Sequence, residues 1–582
     1  MAGSGRFALL VMVGALAQGA PSSSMAGPAA GGGQAAHTAP AGSTKTPAAR
    51  RVRPGAPVRR LRSGAKPRVS RRIAGRPLNQ RAMRDYLRRV LARARRHSDA
   101  PRVSRRIAGQ PLTKRATRDY LRRVLARERR FYRPGVSYDA RTGLTYDGHA
   151  VNLRTGKLSG GPRNWSAASK ESLHVILLVK AVAGDPVAQA LLTPDPSDPG
   201  KAVDAALDVL GRKIDTYRAF DAEHPGYGGF LPWFKVQSGK MQPMADWADR
   251  VPGLDNGQLA WSMYLAERIL RENGRTELAD RYGAHLKLMK DNVVRVFYDP
   301  TARQFRGETR MGNGSKVAPG RNRYVNNAGG YFIEDAYEGL MLVHFADLMG
   351  SWRGNQAGKQ AVWKEPRRKP ASMRIGRKKV DVVEGFWFSS HEEWSNLVLP
   401  FRDLPVADRL FLNGQRVRTQ VSARRGWSGL FASTHRPVAR AGEELAYENA
   451  TGIQEVASAP VRTGAPIFAP DASFPLALVD RQLFASWLNS MTSRPGAFGP
   501  YGIGESYSED GRSAPLLTWD GKALPMVGLM GGVSGDIRRL LKKDGSYNAF
   551  MKRVERDYRL FDEATIQGDD VPFHAPPVRA TQ

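Results

Sequence analysis

A dense group of acidic and aromatic residues lies between positions 226 and 273. The stretch opens with an aromatic, glycine-rich segment that contains Trp233, and three aspartates follow it: Asp246, Asp249 and Asp255. Flat aromatic rings pack well against apolar sugar faces, and paired carboxylates move protons in glycoside hydrolysis. An apolar 3.6-residue period follows directly and predicts a helix that Asp255 or Asn256 would cap. The stretch therefore indicates a carbohydrate site, with helix capping and core packing as the structural alternative.

Four further segments place acidic and aromatic residues side by side. One is a predicted helix over Tyr331–Met349, in which Glu334 and Glu338 are four residues apart and would share a face. The other three contain His391, Trp394 and Arg402 (389–403), Tyr501 and Glu505 (499–507), and Asp520 (519–522). Each acid taken singly could be a solvated charge or a helix cap. Five repetitions of the pattern are more than capping alone predicts.

Composition excludes several kinds of chemistry. The chain has 582 residues, of which 41% are hydrophobic, so it is long enough for a large core. It has no cysteine, which excludes disulfides, thiolate metal sites and a cysteine nucleophile. Its ten histidines do not form the HxH or HExxH spacings of metal sites. We therefore expect neither a metal nor a cofactor.

The strong basicity belongs to the N-terminal part of the chain. The net charge is +36, and residues 1–133 hold 32 Lys and Arg against 4 Asp and Glu. The remaining residues carry a net charge of only +8. A platform for single-stranded nucleic acid would interleave aromatic residues with the basic ones, and this arm lacks them. The charge distribution therefore argues against nucleic acid as the main partner.

The arm divides into three predicted segments. Residues 1–17 read as a signal peptide, with the apolar run Phe7–Leu16 after Arg6, and an uncleaved anchor is the alternative. Residues 18–66 are rich in Ala, Gly, Pro and Arg, and we expect them to be disordered. Residues 67–133 hold a tandem repeat with a period of 34, whose first copy starts at Pro67 and second copy at Pro101. We expect an exported protein, periplasmic or secreted.

Each copy of the repeat predicts a basic amphipathic helix. A basic face of this kind is typical of a tether to an anionic surface. The partner would then be an anionic surface of the cell envelope. The alternative is a solvated arm whose second copy packs on the main domain.

Helical periodicity dominates the rest of the chain, residues 134–582. Predicted helices cover Ser166–Ala183, Ala202–Phe220, Leu254–Asn273, Glu277–Tyr298, Tyr331–Met349, Leu478–Met491, Leu524–Leu541 and Asn548–Leu560. Long connecting loops favour a helical toroid over a bundle, because bundles have short connections. Residues 379–460 are less helical and contain strand-like Val382–Phe388 and Leu397–Phe401. We predict a mainly α toroid with a small β-containing insertion.

Several motifs resemble one known family. They are HEEWSNLVLPFRD from His391, GPYGIGESY from Gly499, WDGKALPMVGLM from Trp519 and GLDNGQLAWSM from Gly253. Together they are similar to the glycoamylase-like family of (α/α)6-barrel proteins, which includes bacterial endo-β-1,2-glucanases and the glucan-processing domain of cyclic β-1,2-glucan synthases. The resemblance covers roughly residues 160–545 and aligns Glu338 with a glutamate of the family. It implies an (α/α)6 barrel that hydrolyses a glycan, most plausibly β-1,2-glucan or a related β-glucan.

Hydrolysis needs one carboxyl to protonate the leaving oxygen and a second carboxylate to activate water or attack carbon. We predict Glu338 as the acid, with Asp255 and Asp249 as candidates for the base. Predicted substrate-binding residues are Trp233, Asp246, Glu334, His391, Trp394, Arg402, Tyr501, Glu505 and Asp520. Two other classes remain open at this point: a non-catalytic glycan-binding envelope protein, and a polysaccharide lyase on a similar helical toroid.

Overall fold

A computed structural model describes residues 104–577, except 194, 196–197, 328–329, 427–431, 436–444, 463–466 and 509–510. The predicted signal peptide, the linker and the first copy of the repeat lie outside the described residues. Within the described part, no single helix combines the length and apolarity that crossing a membrane requires.

Fifteen α-helices make up most of the regular structure in the described residues. They are α1 Lys114–Glu128, α2 Ala168–Val182, α3 Pro186–Leu192, α4 Pro199–Glu223, α5 Gly253–Glu272, α6 Thr276–Phe297, α7 Leu340–Met349, α8 Gln356–Ala361, α9 Trp394–Val398, α10 Pro405–Arg425, α11 Phe474–Ala477, α12 Arg481–Thr492, α13 Trp519–Leu529, α14 Ser534–Lys543 and α15 Tyr547–Asp557.

Six of these helices form an inner ring: α2, α5, α7, α9, α11 and α13. Helix α2 packs against α5 and α13, α5 also packs against α7, and α11 packs against both α9 and α13. Residues on nearly every side of α2, α5 and α13 are buried, as expected of helices enclosed by others. Helices α4, α6 and α12 bury one face only and lie outside this ring. The two layers confirm the predicted (α/α)6 barrel.

Short strands lie in the loops between the helices. They are β1 Ile107–Ala108, β2 Gly148–Val151, β3 Leu158–Arg163, β4 Trp165–Ser166, β5 Phe234–Gln237, β6 Lys240–Pro243, β7 Arg250–Pro252, β8 Tyr298–Asp299, β9 Gln304–Phe305, β10 Glu308–Met311, β11 Tyr324–Asn326, β12 Pro370–Ile375, β13 Lys378–Val383, β14 Ser433–His435, β15 Ala446–Glu448, β16 Ile467–Phe468, β17 Phe498–Gly499, β18 Gly502–Ile503, β19 Tyr507–Ser508, β20 Leu516–Thr518 and β21 Phe573–His574.

Three of the small sheets lead directly into inner helices. Their strand orders are β4–β5–β6, β11–β10–β7 and β20–β2–β3. Strand β7 ends directly before α5, and β20 ends directly before α13. One residue separates the end of β4 from the start of α2. Backbone pairing in these sheets therefore fixes where three of the inner helices begin.

Two predicted elements near the site are wrong. The helix predicted over Tyr331–Met349 begins only at Leu340, because the residues before it pair with another loop: Phe332 forms a β-bridge with Arg306, and Ile333 N donates to Phe305 O. Glu334 and Glu338 therefore do not share a helical face. The strand predicted over Leu397–Phe401 is instead the end of α9 and a 3-10 turn.

The middle of the chain is more helical than predicted. Helix α10 spans 21 residues there, and its apolar period is interrupted by buried arginines. The Arg416 guanidinium donates to Val571 O and Asn413 Oδ1, so a charged residue occupies a core position.

The helix predicted over Leu524–Leu541 is divided into α13 and α14, because Gly531 and Gly532 between them both have positive φ.

The second copy of the repeat packs on the barrel. Helix α1 starts at Lys114, where the Thr113 side chain accepts a hydrogen bond from Ala116 N. It lies against α3, α12 and β18. Strand β1 pairs in parallel with β21 near the other end of the chain. Of the two arrangements expected for the second copy, the structure has the packed one.

Candidate active site

Polar side chains converge at the N-terminal ends of the six inner helices. Each helix contributes one of them in, or just before, its first turn: Lys170 (α2), Asp255 (α5), Glu338 (α7), His391 (α9), Asp471 (α11) and Asp520 (α13). Apolar residues fill the ring below this level. The barrel thus has one polar end, and the sequence places a titratable group on every inner helix at that end.

Glu338 and His391 form the first part of this site. Glu338 Oε2 accepts a hydrogen bond from Gln258 Nε2 at 2.6 Å and lies 3.3 Å from His391 Nε2. The Tyr337 hydroxyl is 3.2 Å from His391 Nδ1. Burial by itself would lower the pKa of His391, but the Glu338 carboxylate outweighs it and the pKa is raised. The histidine is therefore able to hold a proton next to Glu338.

Asp255 is the neighbouring carboxyl. It is not the cap of α5 that the sequence predicted, because the helix begins two residues earlier and Asp255 lies in the first turn. Trp233 Nε1 donates to Asp255 Oδ2 at 3.0 Å, and Ser169 also hydrogen-bonds the carboxyl. Burial, followed by repulsion from Glu338, raises the pKa of Asp255. The two carboxyls therefore disfavour simultaneous ionisation.

Lys170, on α2, lies in the field of Asp255 and pairs with acids on the other side of that helix. Its Nζ lies 3.1 Å from Asp520 Oδ2 and 3.4 Å from Asp147 Oδ1. Burial lowers the pKa of Lys170, but the attraction of Asp520 and Asp147 exceeds that effect and the net shift is upward. Asp520 Oδ1 is buried and accepts no hydrogen bond from any residue that the structure describes. Such an oxygen suits a water molecule or a sugar hydroxyl.

A second group of acids lies beside Asp520. Glu505 accepts hydrogen bonds from the hydroxyls of Thr518 and Ser433, and burial raises its pKa to about 7. Burial also raises the pKa of Asp471 well above its ordinary value, and Glu505 and Asp520 reinforce the shift. Burial raises the pKa of the Tyr447 hydroxyl, and the nearby carboxylates of Asp520, Glu338, Glu505 and Asp471 raise it further. Tyr447 therefore lies near acids from both sides of the ring. These side chains therefore line one continuous polar site.

The aromatic residues predicted to stack on sugars have other surroundings. Trp233 is stacked between Trp165 and Trp247, with centroid distances of 5.5 and 5.3 Å, so neighbouring rings cover its faces and its edge reaches Asp255. Trp394 is only 2% exposed and packs behind His391 with 5.6 Å between centroids. Tyr501 is half-buried, and its carbonyl accepts a hydrogen bond from Lys522 Nζ.

Four predicted polar residues are not brought into this cluster. Asp249 forms an ion pair with Arg310 at 2.7 Å, and Asp246 is exposed, 3.9 Å from Arg250. Arg402 pairs with Asp408 at 2.7 Å, and Glu334 is exposed. Among the described residues, none of the four contacts Glu338, Asp255 or Asp520.

Sequence reasoning missed Lys170, Asp471 and Tyr447. Lys170 had a readable signal, because a lysine in the first turn of a predicted helix is unfavourable for the helix dipole and implies acidic neighbours. Asp471 and Tyr447 lie in irregular segments whose position depends on long-range packing. No cluster of three or more His, Asp or Glu side chains in the described ranges has the geometry to hold a metal ion.

An (α/α)6 barrel with paired carboxyls at one end of its inner helices is the architecture of a glycoside hydrolase. The chain belongs to the endo-β-1,2-glucanase SGL family, whose model matches residues 144–582. It is similar to the endo-β-1,2-glucanase from Talaromyces funiculosus, solved in complex with sophorose: 30% identity, 80% of this chain and 95% of that chain covered, TM-score 0.74.

A second solved structure is a Glu→Gln mutant of the Talaromyces funiculosus enzyme with β-1,2-glucan. It is 31% identical to this chain, with 79% of this chain and 93% of that chain covered and a TM-score of 0.74. No curated protein matches the chain. The family membership agrees with the resemblance that the sequence motifs carry.

Proposed function

We propose that this protein cleaves β-1,2-glucan with Glu338 as the general acid and Asp520 as the general base. The observation that carries the proposal is the ring of helix N-termini, which gathers Glu338, Asp255, Asp520 and Glu505 in one site of a chain from the endo-β-1,2-glucanase family. The related enzyme from Talaromyces funiculosus has been crystallised with sophorose and, as a mutant, with β-1,2-glucan.

Glu338 suits the acid role because of its contacts. Among the described residues, Gln258 and His391 both contact Oε2 of Glu338, and we assign Oε1 to the glycosidic oxygen. His391 holds a proton beside it and can restore the proton after each turnover. Asp255 is less suited to reach the substrate, since Trp233 and Ser169 already bind its carboxyl.

Asp520 suits the base role better than Asp255 or Asp249. A base takes up the proton of the water, and Asp520 already lies 3.1 Å from the Lys170 ammonium, with its Oδ1 accepting no hydrogen bond from the described residues. Burial and repulsion from Glu338 raise the pKa of Asp255. Among the described residues, Asp249 contacts neither Glu338 nor Asp520, and it is paired with Arg310. In the reaction, the C–O bond to the leaving sugar breaks as Glu338 gives it a proton, and Asp520 takes the proton of the water that bonds to the anomeric carbon.

The remaining polar groups of the site fit a neutral, hydroxyl-rich ligand. Glu505 and Asp471 both have raised pKa values, so each can donate as well as accept a hydrogen bond near neutral pH. Tyr447 keeps its hydroxyl proton because burial raises its pKa. The Lys170 ammonium is already paired with Asp147 and Asp520.

The test is incubation of the full-length protein with linear β-1,2-glucan and with a panel of other neutral and acidic polysaccharides. Reducing ends and product masses are measured. We expect short oligosaccharides from β-1,2-glucan alone. Cleavage of a different glycan, or an unsaturated product that absorbs in the near ultraviolet, would refute the proposed substrate or reaction.

We also propose that the protein is exported and that its basic arm contacts anionic polymers or lipids of the cell envelope. The support is sequence alone: the apolar run Phe7–Leu16 and the excess of Lys and Arg over residues 1–133. Cell fractionation and N-terminal sequencing of the mature protein test export. Recovery of an uncleaved chain in the cytoplasm would contradict it.

A further inference from the structure

Residues outside the family match hold the helix that carries Asp520. The match begins at residue 144, but α1 and the segment after it contact the first turn of α13 directly. Glu128, at the end of α1, is completely buried, and its Oε1 lies 3.2 Å from Lys522 Nζ. Lys522 follows Asp520 by two residues on α13.

The same carboxylate also binds the hairpin on the other side of Lys522. Ile503 N donates to Glu128 Oε1 at 2.6 Å, and Lys522 Nζ donates to Tyr501 O. A Cβ on Gly502 would lie 2.1 Å from Glu128 Oε1, so the carboxylate approaches as closely as only glycine permits. Glu128 therefore joins α13 to β18, the strand that leads to Glu505.

The residue before Asp520 is held by the same segment. The Trp519 ring packs edge-on against Phe131 and Tyr132, with centroid distances of 5.8 and 5.5 Å. Its Nε1 donates to Ser137 O at 2.7 Å. Trp519 and Lys522, which flank Asp520 in the first turn of α13, thus both contact residues 128–137.

From these contacts we infer that Glu128 is a positioning residue for catalysis: it fixes the first turn of α13 and thereby the direction of the Asp520 carboxylate. The inference rests on the proposed role of Asp520. The second copy of the repeat is then part of the catalytic domain and cannot be exchanged for the first. At the position of Glu128 the first copy has Ala94, which offers no partner for a buried lysine.

Electrostatics support the same assignment. Burial lowers the pKa of Lys522, and the Glu128 carboxylate opposes that effect. Glu505 is the other carboxyl in the field of Lys522. Without Glu128, the ammonium would be drawn toward Glu505, and the first turn of α13 would move with it.

The test is Glu128→Ala in the full chain, which writes the residue of the first copy into the second. The matched control is Tyr120→Phe on the same helix, which removes the 2.7 Å hydrogen bond to Thr492 on α12 and leaves the Glu128–Lys522 pair in place. The thermal midpoint, kcat and KM on β-1,2-glucan are measured well below both midpoints. We expect kcat of Glu128→Ala to fall about 10- to 100-fold with little change in KM, because a small misplacement of a catalytic group costs up to ~100-fold. Tyr120→Phe should lose stability and keep kcat.

A wild-type kcat in folded Glu128→Ala would overturn the inference and leave the proposed function intact. Failure of the wild-type enzyme to cleave β-1,2-glucan would instead refute the proposed function, and the ratio of variant to wild-type kcat on whichever glycan is cleaved would still test Glu128. If Glu128→Ala does not fold, Glu128→Gln replaces it, since glutamine keeps an acceptor for Ile503 N and loses the charge. A wild-type kcat in Glu128→Gln would likewise overturn the inference, and a lowered kcat at unchanged KM would support it.

Discussion

Replacing Lys170 by methionine tests whether its ammonium group supports the Asp520 carboxylate as the proposed base. Its Nζ contacts Asp520 at 3.1 Å and Asp147 at 3.4 Å. Asp147 keeps a second cation, because Arg163 Nε lies 3.1 Å away. Among the described residues, Asp520 has no other cationic partner, so the loss falls mainly on the proposed base.

The size of the effect follows from the geometry. Two charges about 4 Å apart attract with ~4 kcal/mol at an effective dielectric constant of about 20. Asp520 is 29% exposed, so solvent screens part of this, and we take ~1.5–3 kcal/mol as the net loss. Since 1.36 kcal/mol corresponds to one pH unit, the acid limb of kcat/KM should move up by about one to two pH units. At a pH below the wild-type acid limb, the activity should then fall roughly 10- to 100-fold.

The assay is kcat/KM on β-1,2-glucan between pH 4 and 8, together with the thermal midpoint of each variant. Lys180→Met is the matched control, because Lys180 lies at the other end of α2 and also bridges two carboxylates, Asp185 at 3.8 Å and Asp536 at 3.1 Å. We expect it to lose stability without moving the acid limb. A second control, Lys170→Arg, keeps the charge and should keep most of the activity. A folded Lys170→Met enzyme with a wild-type pH profile would refute the reasoning.

Three further predictions concern the rest of the site and the barrel. Trp233→Phe removes the hydrogen bond to Asp255, worth ~1 kcal/mol, so kcat/KM should fall three- to tenfold while Trp247→Phe changes it less; equal losses would contradict this. Gly257→Ala would place a Cβ 2.5 Å from Leu342 N, between α5 and α7, and should lower the free energy of unfolding by ~1–3 kcal/mol. In the control Gly211→Ala, the new Cβ meets nothing within 4 Å and should raise the free energy of unfolding by up to ~1 kcal/mol. Thermal unfolding of both variants tests this difference. Burial raises the pKa of Glu392 from 4.5 to about 7. Between these values the folded chain keeps a proton that the unfolded chain releases, so the stability of the fold must fall as pH rises. The thermal midpoint of Glu392→Gln should therefore fall less steeply from pH 5 to 7 than that of the wild type, and an unchanged slope would refute the raised pKa of Glu392.

The inner helices α2 and α5 were predictable because their burial produces a long apolar period. Helices α2 and α5 begin and end within about two residues of the predicted bounds. Helix α10 was not predictable in this way, because Arg416 and Arg418 occupy buried positions and are satisfied by contacts with distant segments. The helix predicted from residue 331 begins only at Leu340, because the backbone before it pairs with a loop near residue 305.

The site was partly predictable from local pattern. Glu338, Asp255, His391, Glu505 and Asp520 all came from acid-and-aromatic segments, and the structure gathers them at one end of the barrel. The surroundings of the aromatic residues were not predictable, since Trp233 and Trp394 pack against other rings in the structure. Local sequence identifies aromatic residues near acids, but only the packing decides whether a ring face reaches solvent. Asp471 joined the site through the ring closure of the barrel, which no local pattern encodes.

The most direct test of the account is the activity of Glu338→Gln on linear β-1,2-glucan, with Glu277→Gln on the exposed surface of α6 as the matched control. Glutamine keeps the shape of Glu338 but cannot donate a proton as a carboxylic acid. We expect reducing-end release to fall about 100- to 10,000-fold, with the thermal midpoint and glucan binding retained, and Glu277→Gln to match the wild-type enzyme. Wild-type turnover by folded Glu338→Gln would contradict the assignment of Glu338 as the acid.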